Sequence, residues 1–172
     1  MLLPGEELNL GRFHGGLRGY LSIEGGVDEM RSRYAEAPTV VKKGMSLHVN
    51  EVERIASRLN VDDRTDRNIV RIVAGPHDAP PLPEEGEVTA ELNRVGIRLR
   101  RRGGNGAPAL RELPSCGMQF GTLQWHPDGT LVAMGPDHPV TGGYLQPATL
   151  VSEDLWKLAQ LAPGERVRLL AV

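Results

Sequence analysis

Apolar and polar residues alternate in short runs along much of this chain. Leu17, Leu21 and Ile23 fall on one face of an extended segment, Arg18, Tyr20, Ser22 and Glu24 on the other, and Gly25-Gly26 ends the run. Residues 45–49 alternate again. The period then changes: Asn50 can cap a helix, and Val52, Ile55, Ala56 and Leu59 recur at helical spacing up to Asn60. Residues 68–74 read as a strand closed by Gly75-Pro76, and residues 94–100 set Val95, Ile97 and Leu99 against Arg94, Arg98 and Arg100. Leu131–Met134 is a continuous apolar run and reads as a short buried strand. Ser152 is placed to cap a second helix over 152–160, with Leu155, Leu158 and Ala159 inward. Pro163-Gly164 turns the chain into a last strand over 167–172. Many short strands and two short helices, 50–60 and 152–160, predict a mainly-β chain closed into a barrel.

Composition adds bounds. With 172 residues the chain is long enough for one domain with a real core. The Pro- and Glu-rich stretch 79–86 offers a finer division into two lobes, 1–78 and 87–172. Gly is frequent, 21 residues, and aromatic residues are only 4%, which favours turns and strands over helix bundles. A net charge of −2 supplies no field that would draw nucleic acid or a membrane surface. The single cysteine, Cys116, cannot form an internal disulfide, and no signal-peptide pattern opens the chain. The expected setting is therefore the cytoplasm.

Three groups of residues can carry chemistry. Asp137 precedes Thr141-Gly142-Gly143-Tyr144. Adjacent glycines let backbone N–H groups approach a carboxylate or carbonyl, Thr141 and Tyr144 bring hydroxyls, and Asp137 can orient a partner or act as a base. The plain alternative is a tight turn at a barrel rim. Arg94 and Arg98 lie four residues apart on the expected strand, so they share a face and can clamp a carboxylate; the alternative is a solvated face, of which the run Arg100 to Arg102 is a further part. Gln124 and His126 lie on one side of another strand, and His126, before the turn Pro127-Asp128-Gly129, is the best-placed histidine for acid–base work. An exposed histidine flanking a turn is the competing interpretation. His14, His48, His77 and His138 show no metal-ligand spacing, and Cys116 reads as a small core residue without an activating partner. No glycine–lysine phosphate loop is present.

Six blocks, in order, resemble one family. Arg18, Tyr20, Leu21, Gly25, Gly26 and Asp28 fit its pattern Gly-x-Arg-x-Tyr-Leu-x-x-x-Gly-Gly-x-Asp. The stretch Arg71-Ile72-Val73-Ala74-Gly75-Pro76-His77-Asp78 fits a strand ending in Gly-Pro-x-Asp. Arg94, Gly96, Arg98 and Leu99 fit a third block; Ser115, Gly117, Gly121, Gln124, Pro127, Asp128 and Gly129 a fourth, with Cys116 where an acid is usual. Asp137, Thr141, Gly142, Gly143 and Tyr144 fit a fifth, and residues 152–167 follow the sixth. The chain resembles the carboxyltransferase-type family that includes the C subunit of 5-oxoprolinase, allophanate hydrolase subunit 2 and the antagonist of a sporulation-kinase inhibitor.

That resemblance implies a cyclophilin-like β-barrel. It implies a component of an ATP-dependent 5-oxoprolinase (5-oxoproline to glutamate) or of a biotin-dependent carboxyltransferase, with ATP used through the complex and a small amide or lactam as substrate. A subunit-B-like protein is the implied partner, and a homodimer the substitute. Asp137 and His126 are the expected catalytic residues and Arg94, Arg98, Gln124, Thr141, Gly142, Gly143 and Tyr144 the expected substrate-binding ones, the two arginines clamping a carboxylate such as that of 5-oxoproline or carboxybiotin. The chain departs from the pattern at both ends of its first half, where it lacks the family's N-terminal segment and a helix after Gly-Pro-x-Asp. Those departures favour a second function: a non-enzymatic binding module that sequesters a kinase-inhibitor-like protein.

Overall fold

The structure is a computed structural model that describes residues 7, 9, 16–19, 66–101 and 113–172. The chain divides into two units, residues 1–18 with 64–172, and residues 19–63. All the elements described here belong to the first. The strand expected around 17–24, the strand at 45–49, the helix at 50–60 and the loop at 103–106 lie outside the described residues, apart from residues 17–19.

Nine strands are described: β1 (Ile69–Ala74), β2 (Glu85–Leu92), β3 (Gly96–Arg101), β4 (Cys116–Gly117), β5 (Thr122–Trp125), β6 (Leu131–Met134), β7 (Thr141–Gly142), β8 (Leu145–Leu150) and β9 (Arg166–Ala171). Seven of them close a barrel in the order β1-β8-β5-β6-β3-β2-β9. Every pairing is antiparallel except the seam, where β1 and β9 run parallel with Ile69 opposite Arg168 and Ile72 opposite Ala171. Strands on both sides of the 79–86 stretch thus share one barrel. The mainly-β barrel expected from the alternating pattern is what forms.

Alternation explains the core. Val70 and Ile72 of β1, Ile97 and Leu99 of β3, Ala148 and Leu150 of β8, and Val167 and Leu169 of β9 are all buried in one cluster with Leu123, Trp125, Leu131 and Ala133. Truncating a fully enclosed member such as Leu123 to Ala would cost about 2–5 kcal/mol, because the rigid barrel wall cannot collapse into the void. The register slips once between β5 and β8, since Leu123 faces Ala148 while Trp125 faces Leu145. β8 therefore carries one extra residue. The slip keeps Leu145 and Ala148 both against the core, and Gln146 between them is buried as well.

The helix after β8 differs from its expectation. It is a 3-10 turn, Ser152–Asp154, followed by α1, Leu155–Leu158, and Ser152 makes no side-chain cap hydrogen bond. Its anchor is electrostatic instead. Asp154, 2% exposed, accepts the Arg71 backbone N–H at 2.7 Å and the Arg71 guanidinium at 3.0 Å through both oxygens. Lys157, also buried, contacts Asp154 at 3.2 Å and donates to the Ile69 carbonyl at 2.6 Å. Two charged side chains thus tie the short helix to β1, where apolar spacing alone predicted Leu155, Leu158 and Ala159. Leu158 is buried and Leu155 packs against the core as expected.

Candidate functional site

The segment from Gly135 to Tyr144 leaves the end of β6 and runs outside the barrel. It is first fixed to the turn before β3: Gly135 N–H donates to the Val95 carbonyl at 2.8 Å and Asp137 N–H to the Arg94 carbonyl at 3.0 Å. The side chains follow the backbone. Arg94 donates to Asp137 from Nε at 2.6 Å and from Nη2 at 2.8 Å, a fork-to-fork pair. The Arg94 hydrogen bonds hold the Asp137 carboxyl below the usual carboxylate range, with a smaller opposing effect of burial. The segment then pairs β7 with β4, Cys116 opposite Gly142 and Gly117 opposite Thr141, and Met118 N–H donates to the Val140 carbonyl.

Gly142 has a packing reason rather than a conformational one. A Cβ at Gly142 would stand 2.6 Å from Gln124 Nε2 and 2.8 Å from Met118 Sδ. Gln124 lies under this sheet, 4% exposed, with its carboxamide N–H donated to Met118 Sδ at 3.4 Å. Gly143 offers its carbonyl to Leu113 N–H at 2.8 Å. Thr141 is exposed, and Tyr144 is half-buried with its ring 4.8 Å from that of His126.

The arginines are arranged differently from the expected clamp. β3 begins at Gly96, so Arg94 sits in the preceding turn and not on the strand with Arg98. The reason is Asn93, whose carboxamide oxygen accepts the N–H groups of Val95 and Gly96 and bends the chain there. Arg98 turns to Glu91 at 3.0 Å and Asp128 at 3.4 Å. Two guanidiniums are thus each engaged by the chain's own carboxylates, at separate places. Asp128 is itself held below the usual range, first by hydrogen bonds from Thr130.

His126 lies just beyond β5, half-buried against Tyr144, and its Nε2 is buried without a hydrogen-bond partner. Burial lowers its pKa, the Arg98 charge lowers it further, and Asp128 partly restores it. An uncharged imidazole at neutral pH is suited to accept a proton. His126 and Asp137 are placed on different elements, and no contact joins them among those described. The structure therefore gathers the expected residues into two groups, Arg94 with Asp137 and His126 with Tyr144, while Gln124 lies under the β4–β7 sheet.

One cluster escapes the sequence pattern. Cys116 does have partners: His77 Nε2 lies 4.0 Å from its sulfur, and the Gln146 carboxamide N–H donates to it at 3.1 Å. His77 also lines a cleft of about 700 Å³ between the end of β1, the proline-rich 77–84 stretch and β9, with Val73, Pro81, Leu170 and Val172 among its walls. The signal available in sequence is the Gly-Pro-His-Asp block, which by its pattern marks only a strand end. Among the described residues no group of three or more histidines, cysteines and acids is arranged to hold a metal, and no helix is long and apolar enough to cross a membrane.

Comparison with known proteins places these features in a family. Residues 1–171 match the family described as the carboxyltransferase domain, subdomain A and B. The chain is 28% identical over 200 residues to a protein of Emericella nidulans named as a urea carboxylase, covering 95% of this chain and 16% of that protein. It is 26% identical over 187 residues to the C subunit of 5-oxoprolinase of Escherichia coli, covering 95% of this chain and 59% of the relative. The crystal structure of TTHA0988 superposes with a TM-score of 0.58 at 25% identity, over 72% of this chain and 25% of that one. This chain thus spans less than two thirds of the length of each of these proteins.

Proposed function

The chain belongs to the carboxyltransferase domain (subdomain A and B) family, and from that premise we propose that it works as one component of a complex that opens 5-oxoproline to glutamate at the expense of ATP. A subunit-B-like protein is its partner in this reading. The observation that carries it is the match across residues 1–171, together with the likeness to the C subunit of 5-oxoprolinase over 95% of this chain. The geometry supports it at the β4–β7 rim. Thr141 and Tyr144 bring hydroxyls to a segment tied to the turn before β3 by backbone hydrogen bonds and the overlying Arg94–Asp137 pair, and His126, beside Tyr144, offers a base. ATP is handled through the complex.

Carboxyl transfer from biotin is the neighbouring chemistry, favoured by the likeness to the Emericella nidulans protein. There carboxybiotin arrives as a substrate carried by another component. The binding-module reading has one observation of its own: Arg94 and Arg98 both spend their charge on this chain's carboxylates, which leaves less for a substrate. Reconstitution decides among the three. The chain is mixed with purified subunit-A-like and subunit-B-like proteins of 5-oxoprolinase type, and glutamate release from 5-oxoproline is measured with and without ATP. Glutamate release that needs all components and ATP is the expected result. Transfer from carboxybiotin without 5-oxoproline opening would replace it with the carboxyltransferase reading. A stable complex with neither activity would leave the binding module.

A further inference from the structure

We propose that the cleft between the end of β1, the proline-rich stretch and β9 binds a short apolar peptide with both termini free. Arg94, His126, Asp137 and the Thr141–Tyr144 segment do not line it, so the inference stands apart from the proposed 5-oxoproline chemistry.

Topology makes the cleft. β9 lies between β1 and β2 in the barrel, parallel to the first and antiparallel to the second. The chain that leaves β1 must therefore cross the C-terminal end of β9 to begin β2. The crossing is tied at both feet: Gly75 N–H donates to the Pro147 carbonyl, and the Glu84 carbonyl accepts Leu169 N–H, each at 2.8 Å. Between the feet, Pro80, Pro81 and Pro83 have no N–H to pair with β9 and stiffen the backbone. A cleft of about 700 Å³ remains under the crossing, within the range of roughly 300–1,000 Å³ that holds small ligands. Its walls are apolar. Val73, Leu170 and Val172, 41%, 44% and 70% exposed, line it with Pro81, Leu82 and Pro147. Those first three are half of the six exposed large apolar side chains among the described residues, and their gathering in one concavity marks a binding surface.

Charge selects the occupant. Three charged side chains line the cleft, Asp78, Glu84 and Arg168. None makes an ion pair among the described residues, although Arg168 stands opposite Glu85 across β9 and β2. Arg67, Arg71, Arg94 and Arg98, by contrast, are each engaged by a carboxylate. His77 also lines the cleft but is already held, since its Nδ1 accepts the Gln146 backbone N–H at 3.1 Å. A neutral apolar molecule would leave all three charges without partners. A fatty acid would match Arg168 and add a negative charge to a cleft that has two. A zwitterion matches both signs: its carboxylate meets the Arg168 guanidinium, and its ammonium meets Asp78 or Glu84. Asp78 follows β1 and Glu84 precedes β2, with Leu170 on the strand between them. A peptide of two or three apolar residues combines an ammonium, an apolar body and a carboxylate at the size the cleft admits.

Leucyl-leucine is the probe, titrated into the whole chain and followed by amide NMR. Saturable shifts are expected at residues 72–84 and 168–172. Glycyl-glycine, with the same charges and no apolar body, should give none at the same concentrations. N-acetyl-leucyl-leucine and leucyl-leucine amide, each lacking one charge, should bind at least about tenfold more weakly. Arg168→Gln should weaken leucyl-leucine by a similar factor and abolish its advantage over the amide, while the advantage over the acetylated form remains. Asp78→Asn with Glu84→Gln should do the reverse. All three side chains are exposed, and a native circular dichroism spectrum checks each variant. Shifts that do not saturate, or that saturate away from the cleft, overturn the proposal without any variant. So does equal binding of the free and blocked peptides. Decanoate binding more tightly than leucyl-leucine would overturn it as well, since the cleft would then select a carboxylate alone.

Discussion

Arg94 and Asp137, 43 residues apart in the chain, meet through two hydrogen bonds of 2.6 and 2.8 Å, and the Asp137 backbone N–H also donates to the Arg94 carbonyl. The side-chain pair is thus laid over a backbone clasp that would persist without it. Both side chains are well exposed, 56% and 35%, so water and salt screen their attraction. Arg94→Ala and Asp137→Ala should each leave the melting temperature nearly unchanged. In the reconstituted 5-oxoproline assay each should lower turnover by about 100-fold, the scale of a misplaced reacting group. A variant that melts much earlier, or one that keeps full turnover, would mark the pair as scaffolding alone.

Asp154 makes the fold acid-sensitive. Burial alone would raise its pKa, but the hydrogen bonds from the Arg71 side chain and backbone and from Lys157 outweigh that and hold it at about 2. The folded value lies below the unfolded one, near 4, so the unfolded state binds more protons between them. The stabilisation is complete above about pH 4 and is lost as pH falls toward 2, on the order of 2 kcal/mol. Asp154→Asn should flatten that part of the stability curve in urea titrations at about pH 2 to 5. It should also destabilise at neutral pH by about 3 kcal/mol, because buried Lys157 loses its nearer carboxylate and keeps only the exposed Asp66 at 3.7 Å. Equal acid slopes for parent and variant would refute the assignment.

Much of the barrel can be read from the chain because its strands alternate, and alternation is a local property. Val70 and Ile72, Ile97 and Leu99, and Val167 and Leu169 are all found inward where the period places them. The apolar run Leu131–Met134 is likewise a fully buried strand. Less can be read where a distant partner decides. Lys157 lies in a helix whose apolar spacing hides it, and the folded positions of Asp154, the Ile69 carbonyl and, at 3.7 Å, Asp66 make a buried lysine tolerable. Arg94 looks like a strand residue until Asn93 bends the chain before it. His77 and Gln146 stand 39 and 30 residues from Cys116 along the sequence, and their meeting with it is a long-range contact that no local pattern announces.

His126 gives a second pH window with the same sign at a higher pH. Burial, then the Arg98 charge, lowers its pKa from the ordinary value near 6.5, against a smaller opposing effect of Asp128. The unfolded chain then binds the proton first on acidification, so this residue reduces stability as pH falls below about 6.5. Proton NMR of the imidazole should give a midpoint below that of an unfolded reference peptide. Arg98→Gln should move the midpoint up, since it removes a nearby positive charge, and Asp128→Asn should move it down. A midpoint indifferent to both substitutions would mean that the two charges do not reach the ring.

Gly142 is predicted to be irreplaceable for reasons of space, which its neighbour Gly117 on the same two-stranded sheet can test. A Cβ at Gly142 meets Gln124 Nε2 at 2.6 Å and Met118 Sδ at 2.8 Å, whereas a Cβ at Gly117 meets nothing within 4 Å. Neither glycine has a positive φ, so backbone strain does not separate them. Gly142→Ala should cost about 1–3 kcal/mol, the range for overpacking a closed site. Gly117→Ala should be close to neutral. The Met118 thioether is the flexible half of the obstruction, so Met118→Ala should relieve it: in the double variant the two costs should fall short of additivity by about 0.5 kcal/mol or more. Chemical denaturation of the parent and the four variants measures all of this. If Gly142→Ala and Gly117→Ala unfold alike, the β4–β7 sheet does not press on Gln124, and the covering of that buried carboxamide must come from elsewhere.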